Sequence, residues 1–218
     1  MVKYKVAIVI PAFNEAETIF QVVKSVQQYG QVIVVNDASS DNTKQIAESS
    51  GALVVNHASN MGYDSALNSG FLKAKELKLD YIISFDADGQ HSSHEIKRFI
   101  YEFNNGTNLV LGIRPYPARF SEKIFMYYSR YKFNWIDPLC GMKGYSMELY
   151  NNHGCFDSIK SIGTELATYG LANNFSFIQI NIKISERLDK PRFASIVKSN
   201  YLILRALVRL IIWVNKNN

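Results

Sequence analysis

The 218-residue chain reads as an α/β protein built on a mostly parallel sheet flanked by helices. Three observations predict this class. Short apolar, β-rich runs alternate with helix-period stretches of roughly 10–15 residues through the first half of the chain. Several runs stop abruptly at small, polar or acidic residues, as strands do at the ligand edge of an open parallel sheet. With 47% apolar and 20% charged residues, the chain is long enough for a full core and falls outside the disordered and fibrous classes.

Taken in order, residues 6–10 form a strand that ends at Pro11, and Ile19, Val22, Val23 and Val26 put a helix over residues 15–29. Strands follow at 32–35, 52–55, 81–85 and 109–113, separated by helices at 41–50, 65–77 and 93–104. Residues 120–135 are dense in aromatics, which suits a core or an oligomer contact as well as a sugar platform. Residues 178–184 alternate as a strand. Residues 195–214 form a helix apolar almost all round, with Lys198, Arg205, Arg209 and Lys216 sharing one face. A catalytic domain at 1–193 and a C-terminal basic amphipathic helix at 194–218 are expected.

Charge and cysteine content narrow the setting. Residues 185–218 carry seven basic and two acidic residues, a surplus of five that equals the charge of the whole chain. A basic, apolar helix without a nucleic-acid module points to a membrane interface or a second copy of the chain, and away from nucleic acid. Cys140 and Cys155 have neither disulfide-framework nor zinc-ligand spacing, which fits a reducing compartment. The first strand is too short for a signal peptide, and no stretch reaches about 18 uncharged apolar residues. The expected location is cytoplasmic, peripheral at the inner face of the cell membrane.

Chemistry concentrates in residues 80–94, where Tyr81-Ile82-Ile83-Ser84-Phe85 runs into Asp86-Ala87-Asp88-Gly89-Gln90. A single aspartate there would be explained as a cap for the helix that Ser92, Ser93 and Glu95 announce. Two carboxylates and an amide oxygen make a set of hard donors for Mg2+ or Mn2+, which completes its shell with phosphate oxygens. Asp86, Asp88 and Gln90 are thus the candidate metal ligands. Asp37, at the end of the second strand, offers an acceptor to a nucleotide base. Amide groups around Gly62 and Asp64, at a helix start, suit a diphosphate or a sugar.

Pro11-Ala12-Phe13-Asn14-Glu15, Asn36-Asp37-Ala38-Ser39-Ser40-Asp41, Asn60-Met61-Gly62 and Asp86-Ala87-Asp88-Gly89-Gln90 together resemble the family 2 inverting glycosyltransferases. Within them the chain is most similar to the dolichyl-phosphate mannose synthase-like branch, over roughly residues 5–193. The resemblance implies a GT-A-type, Rossmann-like fold and a nucleotide-diphosphate-sugar donor (UDP-, GDP- or dTDP-linked). It implies a nucleotide pocket at Pro11, Ala12, Glu15, Asp37, Asp64 and Asp86, with Asp86, Asp88 and Gln90 at the metal. Relatives carry Gly-Lys where this chain has Gly62-Tyr63, a departure in the donor pocket.

In the second half, Arg114 stands at the ligand edge as a phosphate clamp or a plain surface arginine. Asp137-Pro-Leu-Cys-Gly141-Met-Lys-Gly144 resembles the segment that packs beside the sugar, with Asp137 facing the reaction centre and Gly141 letting the backbone approach the donor. Glu165 stands where many relatives have their base in a Glu-Asp pair, but Leu166 follows it here. It is either a base or a first-turn helix acid. Arg187 and Arg192 match a loop that closes over diphosphate and acceptor. The function expected is metal-dependent, inverting transfer of a sugar to a polyprenyl phosphate. A glycan or lipid hydroxyl as acceptor and an inactive membrane-associated assembly subunit are the alternatives. A pyrophosphorylase would need an N-terminal glycine-rich loop that is absent, and a phosphatase a threonine where Gln90-His91 stands.

Overall fold

The computed structural model describes residues 4–115, 119–184 and 196–217. Seven strands form one sheet: β1 Val6–Ala12, β2 Gln31–Asn36, β3 Leu53–Asn56, β4 Tyr81–Ser84, β5 Leu109–Ile113, β6 Lys143–Ser146 and β7 Phe177–Asn181. Their spatial order is β3-β2-β1-β4-β6-β5-β7. Only β6 runs against the others, pairing antiparallel with both β4 and β5. The helices are α1 Ile19–Val26, α2 Thr43–Ser49, α3 Tyr63–Glu76, α4 Glu95–Asn104, α5 Phe120–Phe133, α6 Met147–His153, α7 Glu165–Ala172 and α8 Ile196–Asn217.

Alternation along β1 explains the layering, because successive side chains leave opposite faces of a strand. Val6, Ile8 and Ile10 pack with α1 and with Ile96, Phe99 and Phe103 of α4. Ala7 and Val9 face the other way, onto Leu67, Phe71 and Ala74 of α3 and Leu166 of α7. Both faces are covered, which is why the central strands read as continuous apolar runs. A third cluster joins Phe125 of α5 to Ile203, Ala206, Leu207, Leu210 and Val214 of α8. These α8 positions recur at helical spacing, and the opposite face leaves Val197, Tyr201, Val208 and Ile212 exposed. Among the described residues no helix is long and apolar enough to cross a membrane.

Two expectations change in detail. The first helix begins at Ile19, because the Glu15 carbonyl accepts from both Thr18 and Ile19 and closes a turn before it. The aromatic stretch is divided between destinations: Phe125 and Trp135 are buried, whereas Phe120, Tyr127 and Tyr131 of α5 face outward.

The α3–sheet contact is close because Gly70 has no side chain. A Cβ there would stand 2.2 Å from Val9 Cγ1 and 3.2 Å from Val35 Cγ2. Gly70→Ala is therefore expected to cost about 1–3 kcal/mol through overpacking. Urea unfolding will read this as a lower midpoint at unchanged slope.

Candidate active site

From β1 the chain winds one way through β2 and β3, and then returns to lay β4 on the other side of β1. Ligands bind at the carboxyl edge of such a switch point. Parallel β1, β2 and β4 end there, and antiparallel β6 begins there, since Ser84 pairs with Lys143. The segment 137–142 therefore enters at the edge where Asp86 leaves. Ser84 Oγ fastens the two, donating to the Gly141 carbonyl (2.7 Å) and accepting from Lys143 N (3.2 Å).

Asp86 lies against the Gly141 backbone so closely that a Cβ on that glycine would sit 2.0 Å from Asp86 Oδ2. The absent side chain thus makes room for a carboxylate of the chain itself, where an approach to the donor was expected. His91 Nε2 lies 2.9 Å from the same oxygen. Burial works against the charge on Asp86, but the His91 hydrogen bond and the positive charges of His91, Lys143 and Arg114 outweigh it and hold the pKa below its ordinary value. Asp88 Oδ1 accepts from Gln90 N (3.1 Å), which folds 86–90 into a tight loop. The two carboxylates and the Gln90 amide in this loop are an all-oxygen donor set, which fits Mg2+ or Mn2+.

Arg114 and Asp137 meet each other. The guanidinium grips Asp137 at both oxygens, each at 2.8 Å, and also reaches Glu122 at 3.1 Å. Burial disfavours the arginine's charge, yet the bonds to Asp137 raise its pKa above the usual value. Lys143 is buried beside them: its Nζ donates to the Gly163 carbonyl (3.0 Å) and lies 5.5 Å from the Trp135 ring centre. Burial lowers its pKa against the upward pull of Cys140, Asp137 and Asp86.

At the nucleotide side, Pro11 and Ala12 end β1, and Glu15 is buried with its carboxylate accepting from Thr18 Oγ1 at 3.1 Å. Asp37 is also buried, and it accepts from His57 (2.7 Å) and from the Met61 and Gly62 amides (2.8 Å each). Two of the amides expected to face a diphosphate thus hold Asp37 in place. Tyr63 is 37% exposed as a whole, but desolvation of its hydroxyl first, and then the charges of Asp86 and Asp64, raise its pKa. Asp64 Oδ2 accepts from Ile162 N (3.3 Å), while its buried Oδ1 has no partner. Burial, and next the charge of Asp157, raise the Asp64 pKa to about 7.

Glu165 has a different setting. Its carboxylate accepts from His153 (2.9 Å), the Ser158 hydroxyl and the Ser158 and Ile159 amides, and with Trp213 it lines a separate cavity. Burial disfavours its charge, but His153 and Ser158 hold its pKa below the usual carboxylate range. Arg187 and Arg192 lie outside the described residues. Sequence reasoning missed His91 and Lys143 as neighbours of Asp86. His91 directly follows Gln90, and that adjacency was the one signal available.

The glycosyl transferase family 2 model matches residues 7–168. A UDP-N-acetylglucosamine–dolichyl-phosphate N-acetylglucosaminyltransferase of Methanococcus voltae is 33% identical over 127 residues, 49% of this chain and 51% of that one. An undecaprenyl-phosphate 4-deoxy-4-formamido-L-arabinose transferase of Proteus mirabilis is 33% identical over 119 residues, 49% of this chain and 36% of that one. The matches thus span about half or less of these relatives' length. Among solved structures, glucosyl-3-phosphoglycerate synthase of Mycobacterium tuberculosis, in complex with Mn2+, UDP and glucosyl-3-phosphoglycerate, superimposes with a TM-score of 0.72. It is 18% identical, and the alignment covers 96% of this chain and 80% of that one, a likeness of GT-A fold. With most of its sheet inside the matched span, this chain belongs to glycosyl transferase family 2.

Proposed function

We propose that the chain transfers a sugar, with inversion, from a nucleoside-diphosphate donor to a polyprenyl phosphate, using a divalent cation held by Asp86, Asp88 and Gln90. The observation that carries this reading is the ionised Asp86 carboxylate, seated on Gly141 beside His91 at the switch point of the sheet. A bound Mg2+ or Mn2+ would supply positive charge to the departing nucleoside diphosphate. Pro11, Ala12, Glu15, Asp37 and Asp64 border the space assigned to the nucleotide and sugar. The names of the structural neighbours' ligands, Mn2+ and UDP, support a UDP-linked donor.

The state of the two candidate bases supports a phosphate acceptor. A hydroxyl nucleophile needs a base within hydrogen-bond reach, whereas a phosphate is already anionic. Asp137 is engaged at both oxygens by Arg114, and Glu165 by His153, Ser158 and Ile159. Neither is disposed to take a proton from an acceptor. Both curated relatives carry a polyprenyl phosphate in their names, which supports the same class. The exposed apolar residues of α5 and α8, with Lys198, Arg205 and Arg209 beside them, suit the surface of an anionic membrane.

Transfer assays with UDP-, GDP- and dTDP-sugars, Mn2+ and a short polyprenyl phosphate test the reaction. Turnover only with a hydroxyl acceptor would overturn the acceptor assignment. In a thermal-shift experiment, Mn2+ with the preferred nucleoside diphosphate at 100 times its dissociation constant should add ~2.7 kcal/mol, about 5–10 °C. Asp88→Asn should abolish the Mn2+-dependent part of this shift and leave the melting temperature of the free protein unchanged.

Gly141→Ala should displace Asp86 and lower kcat/KM at least tenfold, on the order of 1.4 kcal/mol in transition-state stabilisation. The circular dichroism spectrum should stay that of the parent.

Asp64 allows a separate pH test. Its folded pKa of about 7 exceeds the unfolded value near 4, so the folded state holds an extra proton between them. The resulting stabilisation is complete below about pH 4 and is lost as pH rises through 7. Asp64→Asn should flatten that decline and make the protein more stable than its parent at pH 8, by on the order of 1 kcal/mol. Urea midpoints measured from pH 5 to 8 will show this.

A further inference from the structure

We propose that His153, Cys155 and Glu165 form a second metal site, selective for zinc and distinct from the oxygen-lined loop at Asp86. One ligand atom from each residue lies within 4.8 Å of the other two. His153 Nε2 is 2.9 Å from Glu165 Oε1, and Cys155 Sγ is 3.8 Å from that oxygen. Tetrahedral zinc with ordinary bond lengths to nitrogen, oxygen and sulfur spaces its ligands roughly 3.3–3.6 Å apart. The His153–Glu165 pair would open by about half an ångström and the Cys155–Glu165 pair close by a few tenths, and the His153–Cys155 separation, at most 4.8 Å, would contract to match.

The fold prepares each ligand. His153 ends α6, and Gly154 takes a left-handed conformation (φ 94°) that turns the chain back and brings Cys155 beside it. The Ser158 and Ile159 amides hold Glu165 Oε2, while Oε1 meets His153 and Cys155 and also accepts from the Ser158 hydroxyl (2.8 Å), which can turn to Oε2 (3.0 Å) when an ion takes its place. The His153 ring is stacked on Tyr169 at 4.5 Å and meets the edge of Trp213 at 5.6 Å. The rings fix the plane of the imidazole by packing, and the amide bonds to Glu165 Oε2 are outer partners of the kind that orient a ligating carboxylate. A cavity of about 450 Å3 adjoins the trio and leaves room for water as a fourth ligand.

Donor chemistry sets the choice of metal. One imidazole, one thiolate and one carboxylate favour Zn2+ over Mg2+ or Mn2+, whereas Asp86, Asp88 and Gln90 offer oxygen alone. The ion would pin the connection between α6 and α7, whose far end reaches the candidate active site through Ile162 N to Asp64 and the Gly163 carbonyl to Lys143. Sequence spacing conceals the trio because Glu165 is ten residues from Cys155, outside the usual ligand pairs.

Cobalt reports the site directly. The full 218-residue chain, stripped with chelator, should bind one equivalent of Co2+ with a thiolate-to-cobalt charge-transfer band that Zn2+ abolishes and excess Mg2+ does not. Cys155→Ser should lose the band, His153→Gln should weaken Co2+ binding at least tenfold, and Cys140→Ser and Asp88→Asn should keep it. X-ray absorption of zinc-loaded parent protein should read one sulfur among the ligands, and this needs no variant. Absence of the band, its survival in Cys155→Ser, or a zinc shell without sulfur would overturn the proposal.

Discussion

The contact between the Asp86 carboxylate and the bare backbone of Gly141 is the constraint on which the rest of the site depends. β4 delivers Asp86 to the edge shared by the parallel strands. A neighbouring strand can bring its incoming segment to that edge only by running the opposite way, and β6 does so. Its register matters as much as its direction. A slip of one residue would turn Lys143 and Tyr145 together onto the other face of the sheet and remove Gly141 from beneath Asp86. Ser84 opposes such a slip, because its hydroxyl bonds both Gly141 and Lys143.

Packing at this edge brings together more charge than a protein interior tolerates without pairing. Arg114 is neutralised twice, by Asp137 and Glu122. Removing one partner of a buried pair generally costs about 3–5 kcal/mol, because the other charge is left uncompensated. The arginine therefore has little positive potential left for an incoming phosphate. Lys143 is held by a carbonyl and an indole face, neither of which cancels its charge, so it keeps a field directed at Asp86 and Asp137. Of the two cations, the lysine has the larger share in holding Asp86 ionised without competing for a place in its loop.

Legibility in the sequence followed the range of the forces involved. β1, β2, β4 and β5 were readable because each is an apolar run buried on both faces, β3 because it is a short apolar run even at the half-buried edge of the sheet, and the loop at 86–90 because its donors are one residue apart. β6 was not, since Lys-Gly-Tyr-Ser has no period and begins with a lysine. The Gly163 carbonyl, the Trp135 ring and the nearby charges of Asp137 and Asp86, none of them in β6, make that lysine acceptable in the sheet. The partners of Arg114, Asp137 and Glu165 were hidden for the same reason. Each residue carries chemistry that suits a substrate, and each finds a partner of the same chemistry within the chain. Type and position along the sequence do not reveal which of the two prevails.

Helix α5 connects these interior pairings to the surface. Its first turn supplies Glu122 to Arg114, its buried face supplies Phe125 to α8, and its outer face presents Phe120, Tyr127 and Tyr131 to solvent. Ser121 further fixes α8, its hydroxyl bonding Asn200 at 2.6 Å. A load on the outer aromatics is thus one rigid helix away from the Arg114–Asp137 pair. For a lipid phosphate acceptor this placement has a physical rationale. The apolar tail must stay with the membrane while the phosphate reaches the strand ends, so the element that meets lipid should also border the reacting groups. Among the described residues, α5 is the helix that carries exposed aromatics on one face and a direct bond to Arg114 on another.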